Sequence, residues 1–341
     1  MGQSLAVKYR PTVFEDVVEQ TTTVTILKRV LETKNFKNCY LFSGKTGSGK
    51  TTCARLFAKA INQGVGDPIE LDCASNGGVD NVRAIIDSAN QRSLMGEYKI
   101  FILDECHAIT SAGWQAFLKG IEETPKYTIF IFCTTEPNKV PATVLNRMQR
   151  YNFSAISNSG IRDRLIKVCQ AEGFINYNET CDLISKMVQG SMRDALTYLE
   201  QCADYSTDLS LNNSKNVLGN LSYETMFKLT WALNSGEEGK VLATIDDLYN
   251  SGADLKNFVN SYLEFVLDLI KYITFKDIVL TNIPAYLATE ENAVVQYTVE
   301  IPDALNRFNE FAKSLLDLKA AIKYDSSYKS TIEASLIRLM R

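Results

Sequence analysis

Three stretches that follow one another between Asn38 and Ile61 restrict the fold more than anything else in the chain. An apolar run, NCYLFS, leads into Gly44-Lys45-Thr46-Gly47-Ser48-Gly49-Lys50-Thr51, and a helical pattern, TTCARLFAKAI, leads out. A G-x-x-x-x-G-K-[ST] turn in that setting is the strand–loop–helix unit of a wound α/β sheet. Its glycines let backbone N–H groups curl around a phosphate without interference from Cβ atoms. The helix N-terminus adds a favourable dipole. Lys50 is placed to reach β- and γ-phosphates, Thr51 to offer its hydroxyl to Mg²⁺, and Thr52 beside them to bind the nucleotide. The stretch is a candidate nucleotide-phosphate site.

The rest of residues 1–157 continues the same alternation. Strands are expected at Cys39–Phe42, Ile69–Leu71, Lys99–Leu103, Thr128–Cys133 and Arg150–Phe153. Helices are expected at Thr51–Asn62, Asn81–Gln91, Ser111–Glu123 and near Pro141–Arg147. Apolar runs such as KIFIL and TIFIFC suit parallel strands covered on both faces. From about Ser157 the strand pattern ends. Helices are read at Ile161–Glu172, Asn178–Val188 and Arg193–Ala203, followed by roughly five amphipathic helices over residues 222–341. In that last region Leu263, Val266, Leu267 and Ile270 are expected on one packed face, as are Leu305, Phe308, Phe311, Ala312 and Leu315.

At 341 residues the chain is too long for one core, and its 45% apolar and 22% charged content is that of a globular protein. The net charge of −4 hides a split. Residues 1–157 carry 18 basic and 15 acidic side chains and the remainder 18 and 25, so a weakly basic half precedes an acidic one. Eight cysteines include no CxxC pair, which excludes zinc knuckles and thioredoxin-like motifs. Scattered through apolar stretches, they are expected as buried thiols in a reducing compartment. His107 is the only histidine, so it is expected to pack or hydrogen-bond, and a Ser-His-Asp triad has no other source of imidazole. The start, MGQSLAVKYRP, carries no apolar signal segment, and the apolar run Phe258–Phe275 is interrupted by Glu264, Asp268 and Lys271. A cytoplasmic location without membrane contact is expected.

A second motif supplies the chemistry that a phosphate loop needs. The strand KIFIL ends in Asp104-Glu105, which brings two carboxylates to the sheet edge where wound folds hold ligands. Asp104 is placed to hold Mg²⁺, directly or through water. Glu105 is placed to orient an attacking water, which makes the reaction hydrolysis. Thr134-Thr135, after TIFIFC, offers a hydroxyl at the next strand end. Asn146-Arg147-Met148 and Gly190-Ser191-Met192-Arg193-Asp194 offer arginines, the residue type suited to transition-state phosphate charge.

Taken in order, AVKYRPTVFEDVVEQ, SGKTGSGKTT, ILDECHAITSAGWQAFLKGIEETP, FIFCTTEPNKVPATVLNRMQRYNF and GSMRDALTYLEQC resemble the AAA+ ATPases. Within them the likeness is to clamp-loader ATPase subunits of DNA replication, the gamma/tau family of bacterial DNA polymerase III. It covers roughly residues 5–205 with specific motifs and residues 220–341 as a helical region. The resemblance implies an AAA+ ATPase domain over 1–157, a helical lid over 158–219 and a helical oligomerisation collar over 220–341. It makes Thr134 or Thr135 sensor 1, and Arg193 the sensor 2 arginine that contacts nucleotide in cis. Arg147 takes the place of the family's Ser-Arg-Cys arginine, which reaches a neighbouring subunit's ATP, with Arg150 as a competitor. Ala6, Arg10 and Val18 match the segment that borders the adenine.

The sequence departs from the family at two places. Ser-Arg-Cys is here Asn146-Arg147-Met148, and the four-cysteine zinc module is replaced by the short gap Asn62–Pro68, so no zinc is expected. The chain then resembles a short gamma form, from a diverged bacterial or a phage source. The implied cofactors are ATP and Mg²⁺. The implied partners are other loader subunits in a five-membered assembly, a sliding clamp, and primer–template DNA held through its phosphates without sequence preference. Two rival readings share these motifs: another AAA+ motor, such as a branch-migration or helicase-loading ATPase, and a loader subunit that binds ATP without hydrolysing it.

Overall fold

The computed structural model describes residues 3–218, 223–277, 280–283 and 301–340. The chain divides into two compact units, Met1–Val168 with Val188–Glu200, and Cys169–Met187 with Gln201–Arg341.

The first unit is built on five strands: β1 (Cys39–Gly44), β2 (Ile69–Asp72), β3 (Lys99–Asp104), β4 (Thr128–Thr134) and β5 (Gln149–Phe153). All pair in parallel, in the order β2-β3-β4-β1-β5. Successive side chains of a strand point to opposite faces, and the chain exploits this in each central strand. Leu41, Phe101, Leu103, Phe130 and Phe132 face one way and meet Val82, Ile85, Trp114, Phe117 and Ile121. These come from α5 (Val79–Ala89) and α6 (Ser111–Glu122). Tyr40, Phe42, Ile100, Ile102, Ile129 and Ile131 face the other way, onto Leu27, Cys53, Ala54, Phe57 and Ile61. Those belong to α2 (Thr21–Thr33) and α3 (Lys50–Ile61). The result is a three-layer α/β/α sandwich with a sheet covered on both faces, as the apolar runs of β3 and β4 imply.

The expected strands all form, each one or two residues longer at an end. Helix α2 is an addition to the sequence reading. Its first turn, Thr21-Thr22-Thr23-Val24-Thr25, is dense in β-branched residues, which are stiff and mediocre helix formers. Packing overrides that weakness, because Leu27 is fully buried against the sheet and the Thr23 hydroxyl donates to the Asn152 carbonyl at 3.2 Å. Shorter helices α1 (Leu5–Lys8), α4 (Cys73–Asn76) and α7 (Ala142–Leu145) complete the layer connections. Helix α8 (Asn158–Glu172) starts in the first unit, and the first half of α10 (Met192–Tyr205) lies in it.

The second unit is helical, with α9 (Asn178–Met187), α11 (Leu211–Leu218), α12 (Tyr223–Asn234), α13 (Glu238–Asn250), α14 (Leu255–Phe275), α15 (Ala304–Ala321) and α16 (Tyr328–Arg338). Among the described residues no strand follows Phe153. Helix α14 starts at Asp254, whose carboxylate accepts from the Lys256 and Asn257 N–H groups at 3.0 and 3.2 Å. Its packed face differs from the one expected. Leu255, Phe258, Val259, Tyr262, Leu263, Phe265, Val266 and Leu269 are buried, whereas Leu267 is 36% exposed and Ile270 half-buried. On α15, Phe308, Phe311, Ala312 and Leu315 are buried and Leu305 lies exposed. In both helices the expected stripe is one position too wide at its edge. The polar breaks read within Phe258–Phe275 also have different fates. Asp268 is buried, pairing with Lys271 Nζ at 2.7 Å and accepting from the Asn282 N–H at 3.0 Å, while Glu264 is exposed. No described helix is long and apolar enough to cross a membrane.

Candidate nucleotide site

Because β4 lies between β1 and β3, the C-terminal ends of three strands meet along one sheet edge. Ser43 pairs with Thr134 and Leu103 with Phe132, so Gly44, Thr134 and Asp104 stand side by side there. Three motifs far apart in sequence become one site.

The phosphate loop runs from Gly44 to Thr51. Gly44 has φ +154°, and a Cβ there would sit 2.2 Å from the Phe153 carbonyl oxygen. Lys45 and Thr46 are exposed at the loop tip, whereas Ser48 is buried and its hydroxyl donates to the Lys45 carbonyl at 2.7 Å. Gly49 has φ +98° at the start of α3, a conformation that favours glycine. Lys50 is only 6% exposed, and its ammonium donates to the carbonyls of Gly44 and Lys45 at 3.0 and 2.9 Å. Burial lowers its pKa from the ordinary lysine value, and the nearby Asp104 and Glu105 carboxylates oppose that shift. A buried cation facing two backbone carbonyls is set to exchange them for the anionic oxygens of a phosphate.

Thr51, half-buried on the first turn of α3, donates its hydroxyl to Asp104 Oδ2 at 2.8 Å. This juxtaposition tests whether Mg²⁺ fits. Two oxygen donors of the hard type that Mg²⁺ takes stand within one hydrogen bond of each other at the lip of the loop, and its other positions are commonly filled by water and phosphate. The residues fit the ion as a companion of a nucleotide. Among the described residues no group of three or more His, Cys, Asp and Glu side chains is arranged to hold a metal by itself.

Glu105 follows Asp104 in the left-handed region at φ +48°, a costly conformation for a residue with a side chain. Its N–H donates to Asp104 Oδ1 at 3.0 Å, and its Oε2 accepts from Thr135 Oγ1 at 3.5 Å and lies 3.3 Å from His107 Nδ1. Thr134 is fully buried, accepts the Glu136 N–H at 2.9 Å and lies 3.1 Å from His107 Nδ1. Cys53, Cys106 and Cys133 lie buried in this part of the unit, where burial pushes their thiols up, that of Cys53 to about 12. They are protonated packing groups.

The Gly190–Asp194 segment lies against the phosphate loop. Met192 donates its N–H to the Gly47 carbonyl at 3.2 Å, and Ser191 caps α10 by accepting from the Asp194 N–H at 3.3 Å. Arg193 is exposed on the first turn of that helix. The sequence signal for Ser191 is a serine before a helical run, which marks a helix cap. Gly47 has φ +70°, and a Cβ built there falls 2.0 Å from Ser191 Oγ. Gly47→Ala is therefore expected to cost about 1–3 kcal/mol of local strain. It should weaken ATP binding about 5- to 100-fold, at 1.4 kcal/mol per decade, which titration with a fluorescent ATP analogue reads directly.

Ala6 and Val18 are half-buried and Arg10 is exposed on the N-terminal segment. That segment is tied to α10 by the Leu5 N–H donating to Glu200 Oε1 at 3.2 Å, and to α8 by Arg164 Nη2 donating to the Tyr9 carbonyl at 3.1 Å. Arg147 and Arg150 lie elsewhere. Arg147 precedes β5 at the N-terminal edge of the sheet, opposite the phosphate loop, beside a groove of ≈ 520 Å³ that Lys37, Glu122 and Asn146 also line. Its guanidinium pairs with Glu122 Oε1 at 2.5 Å and donates to the Thr143 carbonyl at 2.6 Å. Arg150, also exposed, donates to the Leu145 carbonyl at 3.3 Å. The structure thus joins Lys50, Thr51, Asp104, Glu105, Thr134 and Thr135, seats the Arg193 segment against the loop, and leaves Arg147 and Arg150 at the far edge.

This sheet order, loop and strand-end acid pair are those of an AAA+ P-loop ATPase fold. The Thermotoga maritima RuvB Holliday junction branch migration motor matches it with a TM-score of 0.55 over 76% of this chain and 90% of that one, at 15% identity, a likeness of fold alone. Residues 69–157 match the family model described as DNA polymerase III, delta subunit, and residues 209–341 that of DNA polymerase III subunits gamma and tau domain III. The tau subunit of DNA polymerase III from Bacillus subtilis is 32% identical over 91% of this chain and 60% of its own length. The gamma/tau subunit of Mycobacterium tuberculosis is 32% identical over 89% and 55%, and the tau subunit of Escherichia coli 30% identical over 74% and 43%. The chain is similar to gamma and tau subunits of DNA polymerase III over most of its length, and its residues 209–341 match their domain III. It spans 60% or less of the length of these curated relatives.

Proposed function

We propose that the chain is an ATP-hydrolysing subunit of a sliding-clamp loader, which opens a ring-shaped clamp and places it on primer–template DNA. One observation carries the hydrolytic part: Glu105 stands at a complete phosphate loop, one residue beyond an Asp104 already bonded to Thr51. A subunit that only binds ATP has no use for that carboxylate. Kinship with gamma and tau subunits supports the clamp-loading part.

In this reading Lys50 and the loop N–H groups hold the β- and γ-phosphates, and Thr51 and Asp104 hold Mg²⁺. Bound Mg²⁺ supplies charge neutralisation at the phosphate oxygens. Glu105 orients a water and takes its proton. Thr134 senses the γ-phosphate, with Thr135 holding Glu105. Arg193 contacts nucleotide from the lid over 158–219, and Ala6, Arg10 and Val18 border the adenine. The helices of 220–341 form the collar of an assembly of several such subunits in the cytoplasm. Arg147 reaches into a neighbour's site, so turnover depends on how subunits align on DNA.

The test is ATP hydrolysis by the purified assembly with and without primed DNA and the cognate clamp. Stimulation that requires both supports loading. Stimulation by DNA that ignores the clamp points to a DNA motor, and no stimulation in a complete assembly overturns the proposal.

A further inference from the structure

We infer that His107 is a positioning residue that ties the orientation of Glu105 to the Thr134 hydroxyl. The inference rests on the reading of Glu105 as the carboxylate that orients water.

Both ring nitrogens of the imidazole have oxygen neighbours. Nδ1 lies 3.1 Å from Thr134 Oγ1 and 3.3 Å from Glu105 Oε2, and Nε2 lies 3.5 Å from Glu136 Oε1. An ionised carboxylate only accepts, so the proton of the Glu105 contact belongs to Nδ1. Glu136 is fixed in turn by Lys139 Nζ at 3.0 Å and by its own N–H to Thr134 Oγ1 at 2.9 Å. The ring's side chain is 19% exposed, and its turn is anchored by the fully buried Cys106. The Glu105 side chain is 40% exposed, and besides His107 it has one longer contact, Thr135 at 3.5 Å. The freer group is thus aimed by the more constrained one. Thr134 Oγ1 shares the Nδ1 proton with Glu105, so a new partner at that hydroxyl changes how much of the proton Glu105 receives. The carboxylate is informed of a γ-phosphate through one ring.

Side-chain geometry separates this role from simple packing. Asparagine places an amide donor where Nδ1 stands, and glutamine places one where Nε2 stands. With the full chain in its assembly, His107→Ala and His107→Gln are expected to lower kcat about 10–100-fold, the scale of a misplaced reacting group. KM, ATP affinity and the thermal midpoint should stay as in the unaltered chain. His107→Asn should recover most of kcat. Equal losses in the Asn and Gln variants, or unchanged kcat in all three while Glu105→Gln is inactive, overturn the proposal. Unchanged hydrolysis in Glu105→Gln overturns the reading of Glu105 itself, a separate outcome.

A second measurement needs no turnover. His107 is the chain's single histidine, so an imidazole nitrogen NMR spectrum of the unaltered protein contains one ring. Its Nδ1 signal should move on adding ATPγS with Mg²⁺ and stay on adding ADP with Mg²⁺. The same response to both nucleotides, once binding of each is verified, overturns the link to Thr134.

Discussion

Glu105→Gln is expected to bind ATP as tightly as the unaltered chain and to hydrolyse it about 10²–10⁴-fold more slowly, the range of one general base. The substitution keeps the shape of the side chain and one oxygen, so the contact with Thr135 survives. What it removes is the charge proposed to orient water and the lone pair proposed to take its proton. The groups proposed to hold nucleotide are untouched: Lys50 on the loop carbonyls and Thr51 on Asp104 Oδ2 at 2.8 Å. Stability should hold as well, because the Glu105 side chain is 40% exposed and contributes nothing to the apolar core. Single-turnover hydrolysis and equilibrium ATP binding, measured on the same preparation, check both halves. Turnover at the unaltered rate would mean that another group activates the water, and lost binding would mean that Glu105 supports the loop.

The sandwich was legible because burial on both faces leaves a mark in the sequence. KIFIL and TIFIFC become β3 and β4, whose side chains, like those of β1, build both cores. The site was legible for a related reason. A glycine turn that must admit a phosphate, and a strand end that must carry two acids, tolerate few residue types. Where packing decides and propensity does not, local pattern misleads. Helix α2 opens with five β-branched residues and is held by Leu27 from the sheet side. Leu267 and Leu305 carry the hydropathy of a packed face but sit just past its edge, a rotation that only the neighbouring helices set. The pairing of Ser191 with Gly47 and the ring contacts of His107 depend on which strand ends adjoin, and strand order is not written in any local pattern. Arginine roles are hardest of all to read, since a guanidinium looks the same in sequence whichever sheet edge it occupies.

Arg147→Ala is expected to lower hydrolysis by the assembly about 10³–10⁵-fold, the effect of a missing arginine finger, while every subunit keeps its ATP. The fold places this arginine away from the phosphate loop of its own subunit. Strands β1 and β5 run parallel with Tyr40 opposite Gln149 and Gly44 opposite Phe153. Arg147 precedes the first of those pairs and the phosphate loop follows the last, so about 15 Å of strand separates them at roughly 3.3 Å per residue. Its own nucleotide lies beyond the reach of the side chain, whereas a neighbour docked against that sheet edge does not. Its present partner, Glu122, makes an exposed ion pair of a kind worth about 0–1 kcal/mol, so the substitution should leave the thermal midpoint almost unmoved. Mixing decides the matter in assemblies that hold more than one copy of the chain. Arg147→Ala subunits lack the arginine but keep Glu105, and Glu105→Gln subunits lack the carboxylate but keep the arginine. Co-assembled, they create some interfaces with both groups intact, and turnover should rise above that of either variant alone. No rise would place the arginine's role within its own subunit or remove it altogether. The same mixture made with Arg150→Ala then separates the two candidates, because only the true finger is complemented by Glu105→Gln partners.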